Sequence, residues 1–193
     1  MYKDVLFSIK LPDCITETSN SSIGVKQGCI LIPVLFSLYI NDLVNNLDST
    51  CDPAYVNDRE FSCLMYADDL VLLSQSYEGL QSLLERLKSF CDTWNLKVNV
   101  DKTKIMIFNK SGKILKRFSF RYENQNIEIT NEHKYLGIIF KLSGTFSYAT
   151  SHLFKKASKA MFCIRKSLFS ERINLVSHLK LVEACVKPIL LYW

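Results

Sequence analysis

The sequence predicts an α+β fold, in which an antiparallel sheet with packed helices is followed by a small helical segment. Apolar runs typical of strands flank an acidic dipeptide, Asp68-Asp69, and strand patterns recur between residues 104 and 140. Apolar residues at helical spacing follow both regions, over residues 80–94 and again after residue 149. Strands that alternate with helices, and then give way to helices alone, are typical of a sheet domain with a helical appendage.

The first half of the chain contains two predicted helices. Residues from Pro33 to Leu47 carry apolar side chains at helical spacing, and Pro33 suits a first helical turn. The polar, acidic residues 48–60 predict a loop. Residues 61–73 predict a hairpin of buried strands with the two aspartates at its tip. Ser76 is a candidate N-cap for the helix that ends near Trp94.

The second half contains the remaining strands and helices. Strands are predicted at Lys104–Phe108, Arg117–Tyr122, Asn126–Ile129 and Tyr135–Phe140. Helices are predicted at roughly 149–168 and 173–191, joined by a polar break.

Composition excludes several classes of protein. With 193 residues, 48% of them hydrophobic and 22% charged, the chain has the composition of a globular domain. Its seven cysteines are scattered, which argues against a zinc site or a disulfide framework. The longest apolar stretch is broken by Pro33 and is too short for a membrane span, and no secretion signal precedes it. We therefore expect an intracellular protein of the cytoplasm or nucleus, without membrane insertion.

Charge is distributed unevenly along the chain. Residues 1–96 carry 6 Lys and Arg against 13 Asp and Glu, whereas residues 97–193 carry 18 against 6. A basic half can bind phosphate backbones by releasing counterions. Basic residues such as Lys155, Lys156 and Lys159 in the first C-terminal helix therefore predict a nucleic-acid surface, with a membrane surface as the alternative.

The Asp68-Asp69 pair is the most informative motif. Adjacent carboxylates repel each other, and hard oxygen ligands on a rigid turn suit Mg²⁺, which keeps waters and substrate phosphates as its other ligands. Two such ions would stabilise the attacking and leaving oxygens of a phosphoryl displacement. For the dipeptide alone, an ordinary exposed turn is the simpler interpretation.

Four motifs in order change that preference. Residues 66–69 read Tyr-Ala-Asp-Asp, residues 24–29 read Gly-Val-Lys-Gln-Gly-Cys, residues 96–99 read Leu-Lys-Val-Asn, and residues 102–104 read Lys-Thr-Lys. With this order and spacing, the whole chain resembles the reverse transcriptases of non-LTR (LINE-like) retrotransposons. The resemblance implies a palm over residues 1–148 and the start of a helical thumb over 149–193.

The same resemblance implies a function. The intact protein would be an RNA-directed DNA polymerase that uses Mg²⁺, or Mn²⁺, with an RNA template, a DNA primer and deoxynucleotides. Two other classes stay open. One is a catalytically dead, nucleic-acid-binding remnant, and the other is a related palm polymerase such as a group II intron maturase.

Site residues follow from the matched motifs. Asp68 and Asp69 would be the catalytic metal ligands, and Tyr66 would be a neighbour of the primer end. Gln27 and Gly28 would contact the template or the nucleotide.

Three further residues lie in the second half. Lys102 would be the catalytic lysine at the nucleotide phosphates, with Lys104 as the alternative. An ordinary solvated charge at a strand edge is an equally good interpretation of Lys102. Tyr135 and Gly137 match the primer-grip region, where an ordinary hairpin glycine is the simpler interpretation.

Two departures from the family pattern bear on activity. Ile32 replaces a serine before Pro33, which removes a side-chain cap at a loss of about 1 kcal/mol. A further metal-binding aspartate, placed by the family well upstream of Gly24, has no counterpart here. We therefore expect a fragment with a partial metal site that does not polymerise DNA by itself.

Overall fold

The computed structural model describes residues 5–21, 30–47, 52–115, 117–171 and 174–192. It combines helices with small, mostly antiparallel sheets, which confirms the predicted α+β class. The chain divides into two compact units, Met1–Lys97 and Val98–Trp193. The predicted boundary between palm and thumb at residue 148 stays a prediction.

The first unit contains six short strands and three helices among its described residues. They are β1 (Val5–Phe7), β2 (Ser19–Ser21), α1 (Ile32–Ile40), α2 (Leu43–Asn46), β3 (Ala54–Val56), β4 (Arg59–Phe61), β5 (Cys63–Tyr66), β6 (Asp69–Leu72) and α3 (Tyr77–Thr93). Consecutive strands pair as three antiparallel sheets, β1-β2, β3-β4 and β5-β6.

The single helix predicted over residues 33–47 is interrupted. A turn at Asn41 and Asp42 separates α1 from α2. The side-chain amide of Asn46 donates to the backbone carbonyl of Asp42 at 2.8 Å. Asn and Asp are weak helix formers because their side chains compete for backbone hydrogen bonds. The prediction of one continuous helix was therefore wrong.

The loop predicted over residues 48–60 is wrong from residue 54 onward, where β3 and β4 form a hairpin. Its turn residues, Asn57 and Asp58, both have positive φ, 49° and 61°. Two consecutive residues with positive φ are the mark of a type I′ hairpin turn, for which Asn is well suited.

Helix α3 provides the core of the first unit and confirms the predicted cap. The Ser76 hydroxyl accepts a hydrogen bond from the Gly79 amide at 3.0 Å. One face of the helix is buried, including Leu83, Leu87 and Phe90. At its end, Trp94 stacks on Phe90 and meets the Tyr39 ring of α1 edge to face. Because β6 leads directly into α3, this packing anchors one strand of the acidic hairpin.

The second unit contains five described strands followed by three helices. They are β7 (Lys104–Ile105), β8 (Phe120–Tyr122), β9 (Gln125–Ile129), β10 (Glu132–Tyr135), β11 (Ile138–Lys141), α4 (Ser147–Glu171), α5 (Leu175–Cys185) and α6 (Lys187–Leu190). Strand β9 pairs antiparallel with β8 and parallel with β7, and β10 pairs with β11. The predicted single strand over 135–140 was wrong, because a turn at Leu136 and Gly137 divides it.

The C-terminal helices pack on one another through a small apolar core. Ala157 and Ile164 of α4 and Val186 are buried, with Met161 and Val182 packed against them. Within the described ranges, none of the helices is long and apolar enough to cross a lipid bilayer.

Candidate active site

The two adjacent aspartates lie at the tip of the β5-β6 hairpin, as the sequence predicts. Cys63 pairs with Leu72 at one end of the ladder, and Tyr66 pairs with Asp69 at the other. The connection therefore consists of two residues, Ala67 and Asp68. Both carboxylates are exposed, and Tyr66, directly opposite Asp69, is 64% exposed.

The turn that presents the carboxylates is strained. Ala67 has a φ of 52°, in the left-handed region that costs a residue with a β-carbon roughly 1–2 kcal/mol. A positive φ at the first of two loop residues matches the twist that two-residue hairpins require. Unfavourable backbone angles of this kind are concentrated at functional sites, where the surrounding structure holds them in place.

The carboxylates have no counterion among the residues that the structure describes. Among the residues the structure describes, neither Asp68 nor Asp69 forms an ion pair or a side-chain hydrogen bond. Two adjacent exposed carboxylates without a cation repel each other and fit an oxygen-coordinated metal ion. In the same described ranges, no group of three His, Cys, Asp or Glu side chains is placed to hold a metal. The donor set therefore fits an ion that keeps waters or phosphates as its remaining ligands.

Cys63 begins the same hairpin, at the end of the ladder away from Asp69. Burial raises the pKa of its thiol, so the protonated form predominates at neutral pH. Mg²⁺ prefers oxygen ligands to sulfur. The carboxylates are therefore the magnesium ligands that this hairpin offers.

The prediction that both hairpin strands are buried was wrong for β5. Leu64, Met65 and Tyr66 are exposed, whereas Leu70, Val71 and Leu72 of β6 are partly covered. The reason is that β5 is an edge strand, which pairs only with β6 among the described strands.

Lys102 and Lys104 have different surroundings in the second unit. Lys104 reaches Glu128 across the parallel β7-β9 ladder, with its Nζ 2.6 Å from a carboxylate oxygen. Lys102 lies in the preceding turn, where its amide donates to the Asn99 side chain at 3.2 Å. Its ammonium group is exposed and forms no ion pair with any described residue. Of the two lysines, Lys102 is the one available to a ligand.

Tyr135 and Gly137 lie on the β10-β11 hairpin. Leu136 and Gly137 form its two-residue turn, with φ values of 46° and 86°. Tyr192, beyond α6, donates its hydroxyl to the Leu136 carbonyl at 2.8 Å. A β-carbon built on Gly137 would lie 3.0 Å from the Tyr192 ring. The turn therefore requires glycine both for its backbone angle and for the approach of this ring.

Helix α4 separates its charge from its buried face. Ala157 and Ile164 face the core, whereas Lys155, Lys156 and Lys159 are exposed. From residue 147 to residue 170 the helix contains no Asp or Glu. The three lysines form no ion pair with the described part of the chain. We call these three side chains the α4 basic face.

Comparison with known proteins identifies the family. A family profile described as reverse transcriptase (RNA-dependent DNA polymerase) matches residues 3–140. The chain belongs to the reverse transcriptase family. Reverse transcriptases depend in general on divalent metal ions, in agreement with the exposed carboxylate pair.

Several curated proteins are similar to this reverse transcriptase chain. The Retrovirus-related Pol polyprotein from type-2 retrotransposable element R2DM of Drosophila melanogaster is 36% identical, over 63% of this chain and 12% of its own length. The RNA-directed DNA polymerase from mobile element jockey of Drosophila funebris is 26% identical, over 96% of this chain and 20% of its own. The probable RNA-directed DNA polymerase from transposon BS of Drosophila melanogaster is 29% identical, over 88% and 19%.

These relatives confirm the resemblance to non-LTR retrotransposon reverse transcriptases. The chain spans about a fifth or less of the length of the relatives just named.

The described site residues predicted for this reverse transcriptase lie on different elements of its two units. Tyr66, Asp68 and Asp69 share one hairpin of the first unit. Tyr135 and Gly137 share a hairpin of the second unit. Lys102 belongs to the same unit but lies outside that hairpin. Gln27 and Gly28 lie outside the described residues.

Sequence reasoning missed Tyr192. It is separated by 56 residues from its partner Leu136, and no local pattern predicts such a contact. The only sign of its role in the sequence was that it is an aromatic residue just after the last helical segment.

Proposed function

We propose that this chain provides the carboxylate pair and part of the nucleic-acid surface of an RNA-directed DNA polymerase from a non-LTR retrotransposon. The main support for this proposal is the pair of adjacent, exposed carboxylates of Asp68 and Asp69, which no described cation neutralises. In this proposal, residues 1–148 form the palm and residues 149–193 begin the thumb.

Asp68 and Asp69 would hold Mg²⁺, or Mn²⁺ in its place. Bound there, the ion would neutralise charge on the phosphate oxygens of the incoming deoxynucleotide. The reaction is an in-line displacement in which the primer 3′ oxygen bonds to the α-phosphorus and pyrophosphate leaves. The short, strained turn supports this role because it fixes the backbone of both aspartates, with Asp68 in the turn and Asp69 at the start of β6.

Tyr66 would lie beside the primer end. Its ring is exposed, and Tyr66 lies directly opposite Asp69 in the ladder. A group bound at the aspartates would therefore lie close to this ring. An exposed aromatic ring on a strand next to the metal ligands is suited to packing against a sugar or a base.

Lys102 would contact the nucleotide phosphates. Its exposed ammonium, which pairs with no described residue, supports this assignment over Lys104, whose charge is engaged by Glu128. A free ammonium group can neutralise the charge that develops on pyrophosphate as it leaves.

The remaining contacts would be made to template and primer. Gln27 and Gly28 would contact the template strand or the nucleotide, as the family motif implies. Tyr135 and Gly137 would form the primer grip, and the turn that Tyr192 holds supports a fixed position for that hairpin.

A second candidate is nucleic-acid binding without polymerisation. It is favoured by the absence, among the described residues, of a third metal-ligating side chain near the two aspartates. The α4 basic face would still bind an RNA–DNA duplex through its phosphates.

Primer extension distinguishes the two candidates. The polypeptide to test contains residues 1–193 together with any segments that its own gene encodes on either side. If it is a polymerase, it extends a DNA primer on an RNA template with Mg²⁺, and Asp68→Ala or Asp69→Ala abolishes extension. Asp58→Ala, at the tip of the β3-β4 hairpin, should leave the rate unchanged. Duplex binding without extension would establish the second candidate and overturn the first.

A further inference from the structure

The second unit contains an aromatic cleft that the proposed catalytic chemistry does not use. It has a volume of about 160 Å³ and is lined by Phe108, Phe140, Lys141, Gly144, Thr145 and Phe146. Pockets for drug-sized ligands measure roughly 300–1,000 Å³, so this cleft is suited to a single ring system.

The rings of the cleft are unusually accessible. Phe108 is 55% exposed and Phe146 is 49% exposed. Phe140 meets Phe146 edge to face, with their centroids 5.9 Å apart and an interplanar angle of 70°. Beside them, a β-carbon built on Gly144 would meet no atom within 4 Å. The cleft is therefore open above its aromatic wall, where a planar ligand can approach.

A lysine-bearing turn is fixed beside this cleft. The Asn109 side chain donates to the Ile107 and Lys113 carbonyls at 2.9 and 3.0 Å, closing the turn. The Asn109 amide donates to the Leu142 carbonyl at 3.0 Å, next to the cleft residue Lys141. A β-carbon on Gly112 would lie 3.5 Å from Ser143, on the same loop as Gly144. The turn is thus packed against the loop that lines the cleft.

Three lysines lie on this turn and in the cleft. Lys110 and Lys113 are exposed and form no ion pair with the described residues. Lys141 lies over the Tyr148 ring, with its Nζ 3.7 Å from the centroid, and also approaches Glu132 at 3.7 Å. Within the described ranges, Glu132 is the only acidic residue that forms an ion pair with any of these three lysines.

We propose that the cleft binds one unpaired base of a single-stranded nucleic acid, with Lys110 and Lys113 on the adjoining phosphates. Stacking of bases on aromatic side chains next to cations that follow the backbone is the general mode of single-strand binding. The flanking cations favour a polyanionic ligand over an apolar protein segment, which would leave both lysines uncompensated. This inference rests on the proposed function only in requiring that the chain bind nucleic acid.

The test uses the full 193-residue chain and a fluorescent base. The probe is a single strand of abasic residues with one 2-aminopurine, whose fluorescence is quenched when it stacks on an aromatic ring. We expect quenching on binding, and roughly ten-fold weaker binding with loss of the quench in the Phe108→Leu, Phe146→Leu double variant. Phe154→Leu, which alters a 66% exposed ring on α4, is the matched control and should bind and quench like the wild type.

A second measurement needs no substitution in the cleft. In NMR spectra of the wild-type chain, the same probe should shift the ring protons of Phe108 and Phe146 more than those of Phe154. Replacing Lys110 and Lys113 by Gln should weaken binding several-fold while the bound probe remains quenched.

The outcomes separate this inference from the proposed function. If the probe and an RNA–DNA duplex both fail to bind, the nucleic-acid role and the cleft assignment fail together. The cleft assignment alone is overturned if the duplex binds and either of two results is found. One is that the double variant quenches the probe as strongly as the wild type does. The other is that the probe does not shift the ring protons of Phe108 and Phe146.

Discussion

Tyr192 lies directly against Gly137, with its ring 3.0 Å from the position that a β-carbon on that glycine would occupy. Its hydroxyl donates to the neighbouring Leu136 carbonyl at 2.8 Å. A residue near the end of the chain thus holds the β10-β11 turn, which the family resemblance assigns to the primer grip. The geometry makes a specific prediction about glycine at this turn.

Gly137→Ala should destabilise the second unit by more than Gly144→Ala does. Both glycines have positive φ, so each substitution incurs roughly 1–2 kcal/mol of backbone strain. Only the alanine at residue 137 also meets the Tyr192 ring, whereas the space around Gly144 is open. Urea unfolding monitored by amide hydrogen exchange in β10 and β11 measures the difference. Equal effects of the two substitutions would show that Tyr192 does not pack on the turn.

Much of the first unit follows from local sequence. The acidic hairpin was predictable because apolar runs bracket its two aspartates, and α3 was predictable because its apolar face and Ser76 cap agree. The β3-β4 hairpin had a usable signal in Asn57-Asp58, which the acidic composition of residues 48–60 obscured. The strained φ of Ala67 had none, since alanine is not a turn residue.

Substitution of Ala67 should report on the strained turn. Because a β-branched residue tolerates positive φ poorly, Ala67→Val should lower the stability of the first unit by about 1 kcal/mol. Ala67→Gly, which removes the strain, should leave it equal or slightly more stable. Thermal unfolding of the two variants shows which of them is the more stable. A valine variant as stable as the glycine variant would contradict a left-handed Ala67.

Neutralising the α4 basic face should reduce the salt dependence of duplex binding. Each phosphate contact contributes about 0.9 to the slope of log K against log salt on B-form DNA. Replacing Lys155, Lys156 and Lys159 by Gln should therefore flatten the slope for an RNA–DNA duplex by up to about 3. Lys88→Gln, in the first unit, serves as the control because that lysine is paired with Asp92.

Fluorescence anisotropy across a salt series gives the slopes. If the triple variant retains the wild-type slope, the duplex binds elsewhere on the chain.

Cys63 should react with iodoacetamide more slowly than the exposed Cys163. Burial raises the pKa of the Cys63 thiol, so at pH 8 a smaller fraction is the reactive thiolate. Its rate should keep rising beyond the pH at which an ordinary thiol has ionised. Peptide mass spectrometry over a pH series measures both rates. Equal rates at pH 8 would place Cys63 on a more open hairpin than the structure shows.

Long-range contacts explain where sequence reasoning stopped. Lys104 was the alternative to Lys102, and no local pattern predicts its pairing with Glu128, 24 residues away. The β10-β11 strand pattern ran through residues 135–140 without a break because Leu136 reads as a strand residue. Only Gly137 marked the turn, and Tyr192 explains why no side chain is accommodated there.

Metal binding at the hairpin tip tests the central claim most directly. Mn²⁺ titrated into the 193-residue chain should broaden the backbone NMR signals of Asp68, Asp69 and Tyr66 first, because no described residue provides a counterion to the two carboxylates. The Asp68→Asn, Asp69→Asn double variant should lose this broadening. Asp58→Asn, at the tip of the other hairpin, should retain it. Broadening that centres elsewhere, or that persists at residues 66–69 in the double variant, would contradict the assignment of this hairpin as the metal-binding site.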